Sequence, residues 1–171
     1  MIKECNKIVF FGGAGVSTES GIKDFRSVDG LYNMKYDYPP EEILSHHFFI
    51  NNLEEFYKFY IDKMNCLDAL PNDCHKYLAK LEKSGKLTGI ITQNIDGLHQ
   101  KAGSKNVYEL HGSIYKNHCT KCNKEIDAID IFNGKYICDC GGIIKPDVVL
   151  YEEPLDDNVL SNSINLISNA D

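Results

Sequence analysis

Four cysteines in the second half of the chain have the spacing of a metal site: two residues separate Cys119 from Cys122, and one separates Cys138 from Cys140. Four thiolates so placed would close a tetrahedral zinc site with no position left for water, so the zinc would be structural rather than catalytic. The second pair is one residue tighter than usual, and Gly141 and Gly142 supply backbone freedom for the sharper knuckle. A redox Cys-x-x-Cys pair is the rival reading, but that motif belongs at the start of a helix in a thioredoxin-like setting. His118 is a possible substitute ligand. Cys5, Cys66 and Cys74 are too scattered for a metal and read as free thiols, with Cys74 on an apolar helix face.

The other chemical feature is Gly12-Gly13-Ala14-Gly15, directly after the apolar run Lys7 to Phe11. A strand breaking into a glycine turn and a helix start forms a phosphate site, because unpaired amides and the helix dipole face the anion. A tight turn with no ligand is the alternative. With Gly13 and Gly15 as the first two glycines of the dehydrogenase fingerprint, the third position is Thr18, and no acidic partner follows on a nearby strand. Hydride transfer is therefore the weaker expectation.

The elements that must position these groups are legible in part. Lys7 to Phe11 and Leu87 to Thr92 read as buried strands and Asn106 to Leu110 as a shorter one. Residues 21–40 read as a long loop, and Glu41 to Met64 as helices rich in aromatic residues. Asn72 is placed to cap a helix with apolar positions Cys74, Tyr77, Leu78 and Leu81, ended by Gly85. Val148 to Tyr151 reads as a further strand, followed by acidic residues and a final helix. Strands alternating with helices predict an α/β fold with a parallel sheet.

The bulk numbers are those of a globular protein of 171 residues, with 43% hydrophobic and 25% charged residues. No stretch could span a bilayer or form a signal-peptide core. A net charge of -7 argues against nucleic acid as a partner, because phosphate binding needs clustered Lys and Arg. Seven cysteines without a secretory signal predict a reducing, cytoplasmic setting.

Taken together, G-A-G-V-S at 13–17, G-I-K-D-F-R at 21–26, T-Q-N-I-D at 92–96 and His111-Gly112 resemble the sirtuin family. The resemblance continues through the cysteine segment and K-P-D-V-V-L-Y-E-E at 145–153. It implies an NAD-dependent protein lysine deacylase with a Rossmann-like NAD-binding domain, residues 1–117 and 143–171, and an inserted zinc module, residues 118–142. In that family the acyl oxygen attacks the ribose carbon as nicotinamide leaves, and the acyl group ends on ADP-ribose. Mono-ADP-ribosyl transfer and a non-catalytic NAD or zinc module are the alternatives.

Residue by residue, the resemblance implies that Gly13, Ala14, Gly15 and Ser17 line the diphosphate and ribose, and that Arg26 completes the phosphate contacts. Asp24 and Phe25 would lie in the cofactor loop, Phe25 covering the ribose. Ile22, Asn94, Ile95 and Asp96 would form the nicotinamide pocket, and Gln93 would hold ribose hydroxyls. His111 matches the general base, a task suited to an imidazole that titrates near neutrality. Val148, Val149, Leu150 and Tyr151 would bind the acylated lysine peptide.

Tyr57 and Tyr60 fall where family members that prefer acidic acyl groups carry a Tyr and, three residues on, an Arg. Without that guanidinium, acetyl or longer apolar acyl groups are expected, and both tyrosines can equally be core residues. Gly12 and Lys23 replace the family's usual Thr and Pro, which predicts looser loops before binding. S-N-A-D at 168–171 stops where the family enters a further strand and a Gly-Thr-Ser turn. The resemblance therefore implies an incomplete sheet, and these residues alone are expected to bind NAD weakly, turn over little and self-associate. Oligomeric state is not legible.

Overall fold

The β-branched and aromatic run after Lys7 forms the first strand of the protein, whose computed structural model describes residues 4–24 and 38–171. In chain order, β1 (Ile8–Gly12) is followed by two 3-10 turns, Ala14–Val16 and Thr18–Ser20. Then come α1 (Pro40–Ile43), α2 (His46–Asn51), α3 (Leu53–Lys63), α4 (Asp73–Lys83), β2 (Leu87–Thr92) and α5 (Leu98–Lys101). They are followed by β3 (Val107–Glu109), β4 (Gly112–Cys119), α6 (Ala128–Phe132), β5 (Ile144–Val148) and α7 (Asp157–Ser168). No helix among the described residues is long and apolar enough to cross a membrane.

The chain divides into two compact units. The first comprises the described residues of Met1–Asp24, Asp68–His111 and Leu155–Asp171. Its sheet has the order β1-β2-β3 with both pairings parallel, and α4 packs on it through Leu78, which joins Leu87, Ile90, Ile8, Phe10, Leu81 and Val107 in one apolar cluster. Helix α4 starts where the sequence predicts, with the Asn72 side chain accepting from the amides of Cys74 and His75. Its buried stripe differs from the expectation. Cys74 and Tyr77 are exposed, and His75 is fully buried beside Leu78. The imidazole is drawn in because it closes a capping box with Asn72.

The second unit comprises the described residues of Phe25–Leu67 and Gly112–Pro154. It is broader than the cysteine segment 118–142, because aromatic packing ties that segment to α3. Tyr57 stacks on Tyr136 at 4.6 Å and Tyr60 on Phe132 at 5.7 Å, nearly parallel in both pairs. Strands β4 and β5 pair antiparallel. The strand expected at Val148 to Tyr151 is displaced: β5 ends at Val148, and Tyr151 instead makes an isolated parallel bridge to Ser45.

Candidate functional site

In the first unit the polar residues gather where β1 and β2 end side by side. Thr92 closes β2 and its hydroxyl accepts the Asn94 amide at 3.0 Å, turning the chain sharply. Gln93 is thereby set against the glycine turn. Its amide donates to the Gly12 carbonyl at 3.0 Å, and its side chain lies close enough to Gly13 that a Cβ there would come within 3.1 Å of Oε1. The Gln93 carbonyl faces His111, whose Nδ1 lies 3.0 Å away. A carbonyl can only accept, so Nδ1 carries the proton, and in the neutral ring the lone pair is at Nε2.

Ser17, Asn94 and Asp96 form a closed buried network. The Ser17 hydroxyl donates to Asp96 Oδ2 at 2.6 Å and accepts from Asn94 Nδ2 at 2.9 Å, while Asp96 Oδ1 accepts the Leu98 amide at 2.9 Å. The helix start expected after the glycines is instead a 3-10 turn, in which the Val16 and Ser17 amides bond Gly13 and Ala14. The amides of Ala14 and Gly15 head that turn without an acceptor among the described residues, which is the donor arrangement a diphosphate needs. Ile22, Asp24 and Ile95 are half-buried, and the Ile22 amide reaches the Ser17 carbonyl at 3.3 Å. Phe25 and Arg26 lie outside the described residues.

Two buried histidines of this unit were not singled out from the sequence. His75 and His99 face each other at 4.7 Å between ring centres. Neither nitrogen of His99 has a hydrogen-bond partner among the described residues. Burial, reinforced by His75 and opposed by Asp96, brings the His99 imidazole down to about 4. Burial likewise lowers His75, again against the pull of Asp96. Both are therefore neutral near pH 7.

In the second unit the four expected cysteines converge, with all four sulfurs within 4.8 Å of one another. Cys119 and Cys140 sulfurs are 3.5 Å apart, and those of Cys122 and Cys138 3.8 Å. Four sulfurs around one zinc at about 2.3 Å would be separated by about 3.8 Å, so the cluster fits that ion. The backbone amides of Cys122 and Lys121 help bring the Cys119 thiol down to about 6. At Cys140 the Gly142 amide pulls the same way, but hydrogen bonds to the other cysteines outweigh it and push that thiol up to about 12. The knuckle uses both glycines, for different reasons. Gly141 has φ +77°, and a Cβ on Gly142 would sit 2.6 Å from the Cys119 sulfur. His118 is engaged elsewhere, by Asp147.

The segment 148–151 is held from its flanks. Glu153 Oε2 accepts the Leu150 amide at 2.9 Å and the Lys145 ammonium at 3.0 Å; Glu153 Oε1 lies 2.8 Å from His46 Nδ1. Burial pushes the Glu153 carboxyl up, but these three partners outweigh it and hold it below the usual range. Val148 and Leu150 are buried, Val149 half-buried and Tyr151 exposed. Tyr57 and Tyr60 are fully buried core residues, and the Tyr57 hydroxyl donates to the Ile144 carbonyl.

The model of the Sir2 family matches residues 13–171. The chain belongs to the Sir2 family. It is 58% identical over 177 residues to an NAD-dependent protein deacetylase of Clostridium acetobutylicum and 57% identical over 176 residues to one of Clostridium perfringens. Each alignment covers 100% of this chain and 72% of the relative. Among solved structures, Sir2 with a deacetylated p53 peptide and 3'-O-acetyl ADP-ribose is 39% identical with a TM-score of 0.89, covering 99% of this chain and 70% of the other. Sir2 with a p53 peptide and NAD+ gives 38% and 0.86, covering 99% and 69%. The named relatives are NAD-dependent, and the four-cysteine cluster is consistent with the zinc site of sirtuins.

Proposed function

We infer that this chain is an NAD-dependent protein lysine deacetylase. The observation that carries the reading is Gln93, which joins the glycine turn and His111 through one residue. NAD, when bound, supplies an electrophilic ribose carbon, a nicotinamide leaving group and the acceptor of the acyl group. The Ala14 and Gly15 amides would face its diphosphate, and Gly13 lets the chain pass close beside Gln93. Ser17, Asn94 and Asp96 enter binding already hydrogen-bonded, so little ordering entropy is lost there. Ile22 and Ile95 would add the apolar wall of the nicotinamide pocket.

His111 would take a proton at Nε2 from a ribose hydroxyl. The Gln93 carbonyl, already facing Nδ1–H, would stabilise the imidazolium that results. The acylated lysine peptide would lie along Val148, Val149, Leu150 and Tyr151, whose backbone Glu153 and Lys145 keep in place. Acetyl is the acyl group favoured, since no Arg accompanies Tyr57 and Tyr60 to pair a succinyl carboxylate. Zinc would hold the cysteine segment without touching the chemistry. A reducing cytoplasm suits four thiolates.

The test is mass spectrometry of an acetyl-lysine peptide incubated with the chain and NAD. Slow loss of the acetyl group with formation of acetyl-ADP-ribose is expected. A peptide that gains ADP-ribose would turn the reading to mono-ADP-ribosyl transfer, and an unchanged peptide would leave a binding module.

A further inference from the structure

The cap of α4 does more than start a helix. Asn72 accepts from the Cys74 and His75 amides through Oδ1, at 3.0 and 3.4 Å. Its other amide atom, Nδ2, donates to the carbonyl of Val16 at 2.7 Å. Val16 lies 56 residues earlier, in the turn that carries Gly13, Ala14 and Gly15 and ends at Ser17. Only one orientation of the Asn72 amide satisfies both sides. Turned over, Nδ2 would meet two N–H donors and Oδ1 would meet a carbonyl. The buried His75 ring closes the cap from the other side, its Nδ1 accepting the Asn72 backbone amide at 3.3 Å. The 3-10 turn is thus held at its far end by the Ser17 network and on its flank by Asn72.

We propose that Asn72 is a positioning residue for the cofactor turn, holding it so that the donors of Ala14 and Gly15 are aligned before a dinucleotide diphosphate arrives. The inference rests on the NAD reading above for its ligand, and on the Asn72 to Val16 hydrogen bond for its geometry. A residue that merely caps α4 would need only an acceptor. This one also uses a donor, and the two tasks can be separated.

Asn72→Asp keeps the acceptor and suits the helix dipole, but sets a carboxylate oxygen against the Val16 carbonyl. Asn72→Ser keeps a cap and is too short to reach Val16. In both variants of this chain, amide hydrogen exchange at Val16 and Ser17 should quicken about tenfold, the worth of one net hydrogen bond, while the α4 amides from Lys76 onward exchange as before. Kd for NAD should rise by a similar factor, with KM for NAD rising and kcat at saturating NAD unchanged. Unchanged exchange at Val16 and Ser17 overturns the proposal. So does equal loosening of α4 and the turn, which would reduce Asn72 to a helix cap. If the unsubstituted chain bound no NAD, the cofactor reading would fail, while the exchange comparison would still decide whether Asn72 holds the turn.

Discussion

Around Ser17 the polar groups are small, buried and bonded to one another at 2.6 to 2.9 Å, whereas around Cys119 four sulfurs crowd within 4.8 Å with thiols pushed in opposite directions. The first arrangement is complete in itself: every donor in it has an acceptor. The second is not, because four thiols so close can all ionise only with a cation among them. The difference separates a site that is preorganised before its ligand arrives from one that depends on its ligand to exist.

The largest effect should come from breaking the second site. Cys119→Ala, or a strong chelator, should release zinc and unfold the cysteine segment, since structural zinc contributes about 10–16 kcal/mol of apparent binding energy directly to folding. Metal analysis with hydrogen exchange checks this. Amides of β4 and β5 should lose protection while those of β1 and β2 keep it, and loss of protection in both units would erase the contrast.

Breaking the first site at His111 should be purely chemical. His111→Ala should lower deacetylation by about 10²- to 10⁴-fold, the usual contribution of a positioned base, with NAD affinity nearly unchanged. An affinity loss as large as the rate loss would make His111 a binding residue instead.

Within the aromatic core of the second unit, two tyrosines should part company. Tyr57 donates to the Ile144 carbonyl, whereas the Tyr60 hydroxyl is buried with no partner among the described residues. Tyr57→Phe should cost about 1–3 kcal/mol by leaving a buried carbonyl unpaired, and Tyr60→Phe should be neutral or stabilising. Equal losses in denaturant titrations would show that packing alone sets both.

The smallest effect near neutrality concerns His99. Its folded value of about 4 lies below the ordinary 6.5, so the unfolded chain takes up the proton first as pH falls. Its contribution to stability is therefore full above pH 6.5 and lost as pH drops toward 4. Tm measured across that window should fall more steeply for the unsubstituted chain than for His99→Phe; parallel curves would show that His99 does not titrate on unfolding.

The sequence was readable where one signal dominated locally. β1, β2 and the start of α4 follow from apolar runs and a cap, and the four cysteines from their spacing. β4 was not readable, because its burial does not alternate: Ser113 and Ile114 are both buried, Tyr115 and Lys116 both exposed, and its register slips between Gly112 and Asn117. β5 was placed too late because Lys145, Pro146 and Asp147 look like strand breakers. Pro146 is tolerated there because each strand of a two-stranded sheet has a free edge. The burial of His75 and His99 was hidden because it depends on contacts between α4 and the start of α5, far apart in sequence. Gly112 was noted only as the neighbour of His111. With φ +75° and a would-be Cβ 1.7 Å from the Asp147 carbonyl, it admits no other residue.

Gln93 touches the Gly12 carbonyl through its amide and the His111 ring through its carbonyl, and both groups belong to the main chain. An alanine scan would therefore pass over this link, since every residue but proline supplies the same two atoms. Replacing the Gln93 amide by an ester through chemical ligation removes the donor toward Gly12 and changes no side chain. Such an edit would expose a dependence that is written in the backbone and that an alanine scan does not sample.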